Sequence, residues 1–167
     1  MASFEGLDAT QWSELEPHYN NFLNREINSA EDLETWLMEL GRFDAYVGET
    51  GSMLYVNMTC DTENEDVKQA YLGFVDNVQP ELAKMGDLLN RKLAESPFAD
   101  QLDAAEYNVL LRDTRMDLAL FREENIPIGT ELTKLGQRYN EICGAMSVEF
   151  DGEERTMQQM GKYLQVN

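Results

Sequence analysis

The chain has 167 residues, ample for one domain with a real core and too few for two comfortable ones. Hydrophobic residues make up 43% and charged residues 27%, which excludes the composition of a disordered chain. Lys and Arg number 13 against 32 Asp and Glu, and the net charge of −19 disfavours nucleic acid and anionic lipid as partners; it reads first as a solvated, solubilising surface, with attraction of cationic peptides as the functional alternative.

Thr10 is the expected N-cap of a first helix carrying Trp12, Leu15, Tyr19, Phe22 and Leu23 at three-four spacing. Pro17 has no amide hydrogen to give, so this helix is expected to kink or to begin only near Glu16. Ser29 with Asp32 resembles a capping box. Behind it Leu33, Trp36, Leu37, Leu40, Phe43, Val47, Leu54 and Met58 predict a long helix from Ala30 to about Cys60. Gly41, Gly48 and Gly51 inside that helix predict a bend or a close helix contact. The polar run Asp61 to Asp66 reads as a helix start, because N-cap residues and first-turn acids suit the positive end of a helix dipole. A calcium loop is excluded there, since no Gly stands at the sharp turn and Leu72 takes the place of the bidentate Glu.

Val67, Tyr71, Phe74, Val78, Leu82, Met85, Leu89 and Leu93 predict a second long helix, ending near Glu95, kinked by Pro80 and folded back on the first as an antiparallel hairpin. Tyr107, Leu110, Leu111, Leu118 and Phe121 mark a further helix that stops before Asn125-Ile126-Pro127. Leu132, Leu135, Tyr139, Ile142 and Met146 form the cleanest heptad-like run in the chain. Phe74 and Ile142 are both expected to face the core. At Ser147 the period changes from helical to alternating, Asp151-Gly152 is a preferred hairpin turn, and a β-hairpin through Thr156 is predicted. Thr156 then caps a last helix with Met157, Met160, Tyr163 and Leu164 on its apolar side. The fold class is therefore all-α with one small β-hairpin: a single domain over 1–167, with a helical bundle at 1–146 and the hairpin and the start of a helix at 147–167. The lack of a C-terminal cap at Asn167 gives the expectation of a truncation point.

His18 is the sole histidine, which removes a His-Glu-x-x-His zinc site, a paired Glu-x-x-His di-iron site and any mechanism needing two imidazoles. No nucleophile in a recognisable turn accompanies it, so a surface or helix-facing role is expected. Cys60 and Cys143 have no paired spacing and read as buried thiols on apolar faces. Asn57-Met58-Thr59 fits a glycosylation sequon but lies inside a helical pattern, and no Gly-rich phosphate loop is present. Among the nine Met residues, Met146, Met157 and Met160 suggest an adaptable peptide-binding surface, although Met at helical spacing more often serves a core. The site prediction is accordingly no catalytic, no cofactor-binding and no metal residue. No stretch reaches the roughly 18 apolar residues of a membrane span, and Met1 to Asp8 lacks a signal-like pattern, so no membrane association and a cytoplasmic location are expected.

Five strings, Leu23 to Leu33 (LNREINSAEDL), Met58 to Thr62 (MTCDT), Leu89 to Phe98 (LNRKLAESPF), Leu120 to Pro127 (LFREENIP) and Gly144 to Leu164 (GAMSVEFDGEERTMQQMGKYL), together resemble the N-terminal region of the oligoendopeptidase F family of thimet-oligopeptidase-like zinc metallopeptidases. The resemblance implies a helical wall or lid of a peptide channel. It also implies a catalytic domain as partner, carrying the zinc and the His-Glu-x-x-His helix, with short peptides as ligands and self-association through an exposed docking face. None of the family's catalytic residues falls on this chain, which is expected to be inactive alone. The competing readings are a standalone acidic helical scaffold and, more weakly, an enzyme with a carboxylate-only metal site.

Overall fold

The computed structural model describes residues 6–61 and 64–164. The described backbone is helical apart from one antiparallel hairpin, in agreement with the period of its apolar residues. It divides into two compact units, Met1–Thr130 and Glu131–Asn167. The boundary falls inside a helix, whereas the sequence sets its internal division at 146/147.

In the first unit, α1 runs Trp12–Asn24 and passes straight through Pro17, so it does not begin near Glu16. Its expected cap is also displaced: Gln11 stands at the N-cap without a side-chain bond, while Thr10 donates its hydroxyl to Asp8 Oδ1 at 2.6 Å. Helix α2, Ala30–Cys60, has the predicted bounds. Ser29 Oγ accepts the Asp32 amide at 3.0 Å and Asp32 Oδ2 accepts the Asn28 amide at 3.1 Å, so the capping box closes one residue upstream of its usual place. Asn64 Oδ1 accepts from the Asp66 and Val67 amides, making the polar run the helix start it was read as; Thr62 and Glu63 within it lie outside the described residues.

The predicted second long helix is two helices, α3 (Glu65–Asn77) and α4 (Gln79–Ala94), meeting at Val78. Pro80 sits in the first turn of α4, where its missing amide costs no intrahelical bond, so it divides the rod rather than bending one continuous helix. The hairpin between α2 and α3 is antiparallel: Gly51 meets Phe74 while Tyr55, further along α2, meets Tyr71, earlier in α3. Of the three glycines in α2 only Gly51 marks a close contact, since Gly41 and Gly48 face open space. Helix α4 packs on α1, α3 and α5 (Ala104–Leu120), and a short 3-10 turn, Ala99–Gln101, closes against α2.

Leu15, Leu33, Trp36, Phe43 and Val78 form the centre of this unit's core. Trp36 Nε1 donates to Phe22 O at 3.0 Å, so the largest buried ring is fully satisfied. Helix α5 is less embedded than its stripe implied. Tyr107 and Leu111 pack on the core, but Leu110 is exposed and Thr114 is the residue α5 buries.

Helix α6, Asn125–Ala145, starts at the Asn125-Ile126-Pro127 segment that was expected to separate helices, because Pro127 falls within its first turn. In the second unit the main expectation fails: Ile142 is 58% exposed, against 4% for Phe74, and Leu132, Leu135, Tyr139 and Met146 are exposed with it. A three-four stripe identifies a face able to pack, but does not reveal whether the chain supplies a partner. Strands β1 (Ser147–Phe150) and β2 (Glu153–Thr156) pair as the predicted hairpin, with Val148 opposite Arg155, around Asp151 and Gly152, both at positive φ. Helix α7 (Met157–Leu164) packs on β2. The Thr156 hydroxyl accepts the Gln159 amide while Gln159 Oε1 accepts the Thr156 amide, a reciprocal cap. The Leu164 side chain and Asn167 lie outside the described residues.

Candidate functional site: a groove along the helical hairpin

Along α2 Asp44 stands beside the apolar stripe Leu40, Phe43, Val47, Leu54, four residues after Leu40 and three before Val47. Beside Asp44 and Gly48 of α2 and Gly86 of α4 the space between these helices is not filled by side chains. A groove of about 660 Å³ is left, entirely within the first unit. Leu82 and Leu89 lie on the α4 side, and Tyr55 and Tyr71 meet edge to face at 5.6 Å along the α2–α3 side. Gly48 and Gly86 widen it by withholding a side chain, while Gly51 is needed for contact: a Cβ there would lie 2.9 Å from Phe74 Cε1.

At one end of the groove the buried Tyr19 hydroxyl donates to Asp44 Oδ1 at 2.8 Å. Burial pushes the Tyr19 phenol well above its ordinary value, and the Asp44 charge adds to the effect. Asp44 keeps contact with solvent as a residue, yet atoms packed around its carboxyl raise its pKa as well, with the Tyr19 hydrogen bond pulling the other way. Burial also raises Tyr71, with a smaller contribution from Tyr55. Ser52, on the groove wall, donates its hydroxyl to Gly48 O at 2.8 Å. The groove is an apolar, aromatic-sided trough with the Asp44 carboxyl at one end.

A second polar node joins α1 to α4. Lys92 donates to Phe22 O (3.0 Å), Leu23 O (2.8 Å) and Arg25 O, the carbonyls that a helix C-terminus leaves without intrahelical partners. The ammonium also lies 5.7 Å from the Trp36 ring centre. Burial, and secondarily Arg25, holds its pKa below the usual lysine value.

The residues singled out in the sequence do not converge. His18 is exposed on α1, its ring 5.2 Å from Phe43. Cys60, expected to be buried, is exposed, because it follows the buried Met58 by two residues and so points about 200° around the helix from it. Cys143 is half-buried on α6, and both thiols are free. Asn57-Met58-Thr59 lies within α2 with Met58 in the core, and Met146 and Met157 are exposed in the second unit. Among the described residues, no three His, Cys, Asp or Glu side chains are grouped to hold a metal ion. No helix among them is long and apolar enough to cross a membrane.

The groove and the Lys92 node escaped the sequence reading. Asp44 and Gly48, flanking the apolar stripe of α2, were the available signal for the first. For the second there was none, since a lone Lys four residues before a loop is an ordinary C-terminal helix residue. Residues 7–121, which contain both features, match the family model described as Peptidase M3 N-terminal domain. Neither a curated protein nor a solved structure matches the chain.

Proposed function

The chain belongs to the Peptidase M3 N-terminal domain family, and from that premise we propose that it is the non-catalytic helical domain of a zinc metallo-oligopeptidase of the oligoendopeptidase F kind, forming part of the wall of a peptide channel. The match over residues 7–121 carries this reading. The five strings that resemble oligoendopeptidase F supply its finer part. Zinc and the His-Glu-x-x-His helix belong, in this reading, to a separate catalytic part. The chain's own residues do not fit zinc, with His18 against Phe43 and no ligand cluster among the described residues.

Two surface features support a docking and enclosing role. Val109, Met116 and Leu120 are exposed on α5 at positions that fall on one side of a helix, an apolar strip of the kind a neighbouring segment covers. The groove beside α2 offers apolar and aromatic contact with Asp44 at its end, suited to a short peptide with a cationic side chain. The negative surface as a whole draws such peptides in.

The test is reconstitution. Mixing the chain with a separately produced catalytic part bearing the His-Glu-x-x-His helix is expected to give a complex on size-exclusion chromatography, with peptide hydrolysis above that of the catalytic part alone. Equimolar tight zinc in the purified chain, with proteolysis abolished by a chelator and by a change at His18, would overturn the reading. Failure of the two parts to associate would instead support a standalone acidic scaffold.

A further inference from the structure

We propose that the exposed seam of α6 joins two copies of this chain through an antiparallel pair of helices. The seam lies beyond the residues matched by the family model, and the proposal is independent of the channel-wall reading. Leu132, Leu135, Tyr139 and Ile142 are 63%, 60%, 67% and 58% exposed on one helix face. Their strict three-four alternation averages half a heptad, the spacing that keeps a seam facing another helix rather than a sheet or a flat surface.

The flanks of the seam select both partner and register. On one side stand Glu131 and Arg138, each just before a seam residue and seven apart; on the other stand Gly136 and Cys143. In a parallel pair each flank meets the opposite flank of its partner, so Glu131 would face Gly136 and no charge would be matched. In an antiparallel pair like flanks meet. The register that sets Leu132 on Leu135 of a second copy, and the reverse by two-fold symmetry, places Glu131 against Arg138 twice. A slip of one heptad in one direction puts Arg138 on Arg138, and in the other Glu131 on Glu131. The sequence of a single helix is thus complementary to itself in one register and repulsive in its neighbours. Gly136 has open space where a Cβ would stand, which lets the two backbones approach on that flank. The Glu131 contact with Lys134, 3.3 Å and solvent-exposed, is a weak competitor.

The full chain at physiological ionic strength, about 0.15 M, where long-range repulsion between two acidic copies is screened, is expected to sediment as a dimer. Leu135→Asp should give a monomer that melts where the wild-type chain melts when diluted to its monomeric form, because the exposed side chain supports no core. Glu131→Arg and Arg138→Glu should each weaken the dimer about tenfold, two symmetric pairs each contributing a factor of about three, and the double reversal should restore it. A wild-type chain that stays monomeric, a dimer indifferent to Leu135→Asp, or a double reversal that fails to restore association overturns the proposal. So does a monomer that uses Leu135 to bind the catalytic part instead.

Discussion

Phe74 and Ile142 show how far residue type alone reaches. Both are large apolar side chains on well-formed helical stripes, yet one is buried against the hairpin and the other projects into solvent. Phe74→Ala is expected to cost about 3 to 5 kcal/mol and to lower the denaturant midpoint clearly. Ile142→Ala, measured on the monomer, should stay within about 0.5 kcal/mol. Equal shifts for the two would show that the α6 face is covered after all. Asp44 makes a prediction in pH. Its folded pKa lies above the unfolded value, so the native state binds the proton more tightly and Asp44 contributes stability that is present below the unfolded pKa of 3.8 and is lost as pH rises through the folded pKa. Asp44→Asn mimics the protonated form and keeps an acceptor for Tyr19. The variant should therefore melt at or above wild type at pH 7, with the difference closing as the pH falls below 3.8. A difference that widens on acidification would mean that the carboxylate is stabilised, not penalised, by its surroundings.

Among the elements, α2 carries its glycines for different reasons. Gly48 is exposed and meets nothing, so Gly48→Ala should stabilise by up to about 1 kcal/mol through helix propensity, provided the groove is empty. Gly51 lies under the buried Phe74 ring, whose Cε1 would stand 2.9 Å from a Cβ there, so the ring must shift; Gly51→Ala should destabilise despite the same propensity gain. Opposite signs in thermal melts of the two variants test whether α2 and α3 pack in the register described, since a slipped hairpin would make the two substitutions alike. Pro80 illustrates the same dependence on position. At a helix interior it would break a bond, but at the first turn of α4 it only sets where one helix ends and the next begins.

Across the whole molecule the dominant feature is charge. A chain with a net charge of −19 repels itself, and the Lys84–Glu81, Arg112–Asp113 and Arg115–Asp100 ion pairs are solvent-exposed and individually weak. Raising sodium chloride from about 0.01 M to 0.15 M shortens the screening length from about 30 Å to 8 Å and should raise the melting temperature. A decrease would mean that the exposed ion pairs outweigh the repulsion. The same screening governs association with a catalytic part or a second copy, so both are best measured at the higher salt.

Sequence by itself determined the bounds of α2 and the place of the β-hairpin, because a period near 3.6, Ser29 as a cap and Asp151-Gly152 as a turn are local properties of a few neighbouring residues. It also supplied a single histidine, His18, so one copy of this chain cannot by itself form an imidazole pair. The tertiary structure decided which apolar faces are covered. Tyr19 reaches Asp44 across 25 positions and Lys92 reaches the end of α1 across about 70, and no local pattern encodes such pairings. Burial of Phe74 and exposure of Ile142 follow from the same cause: periodicity defines a face, but only the packing of distant elements determines whether anything lies against it.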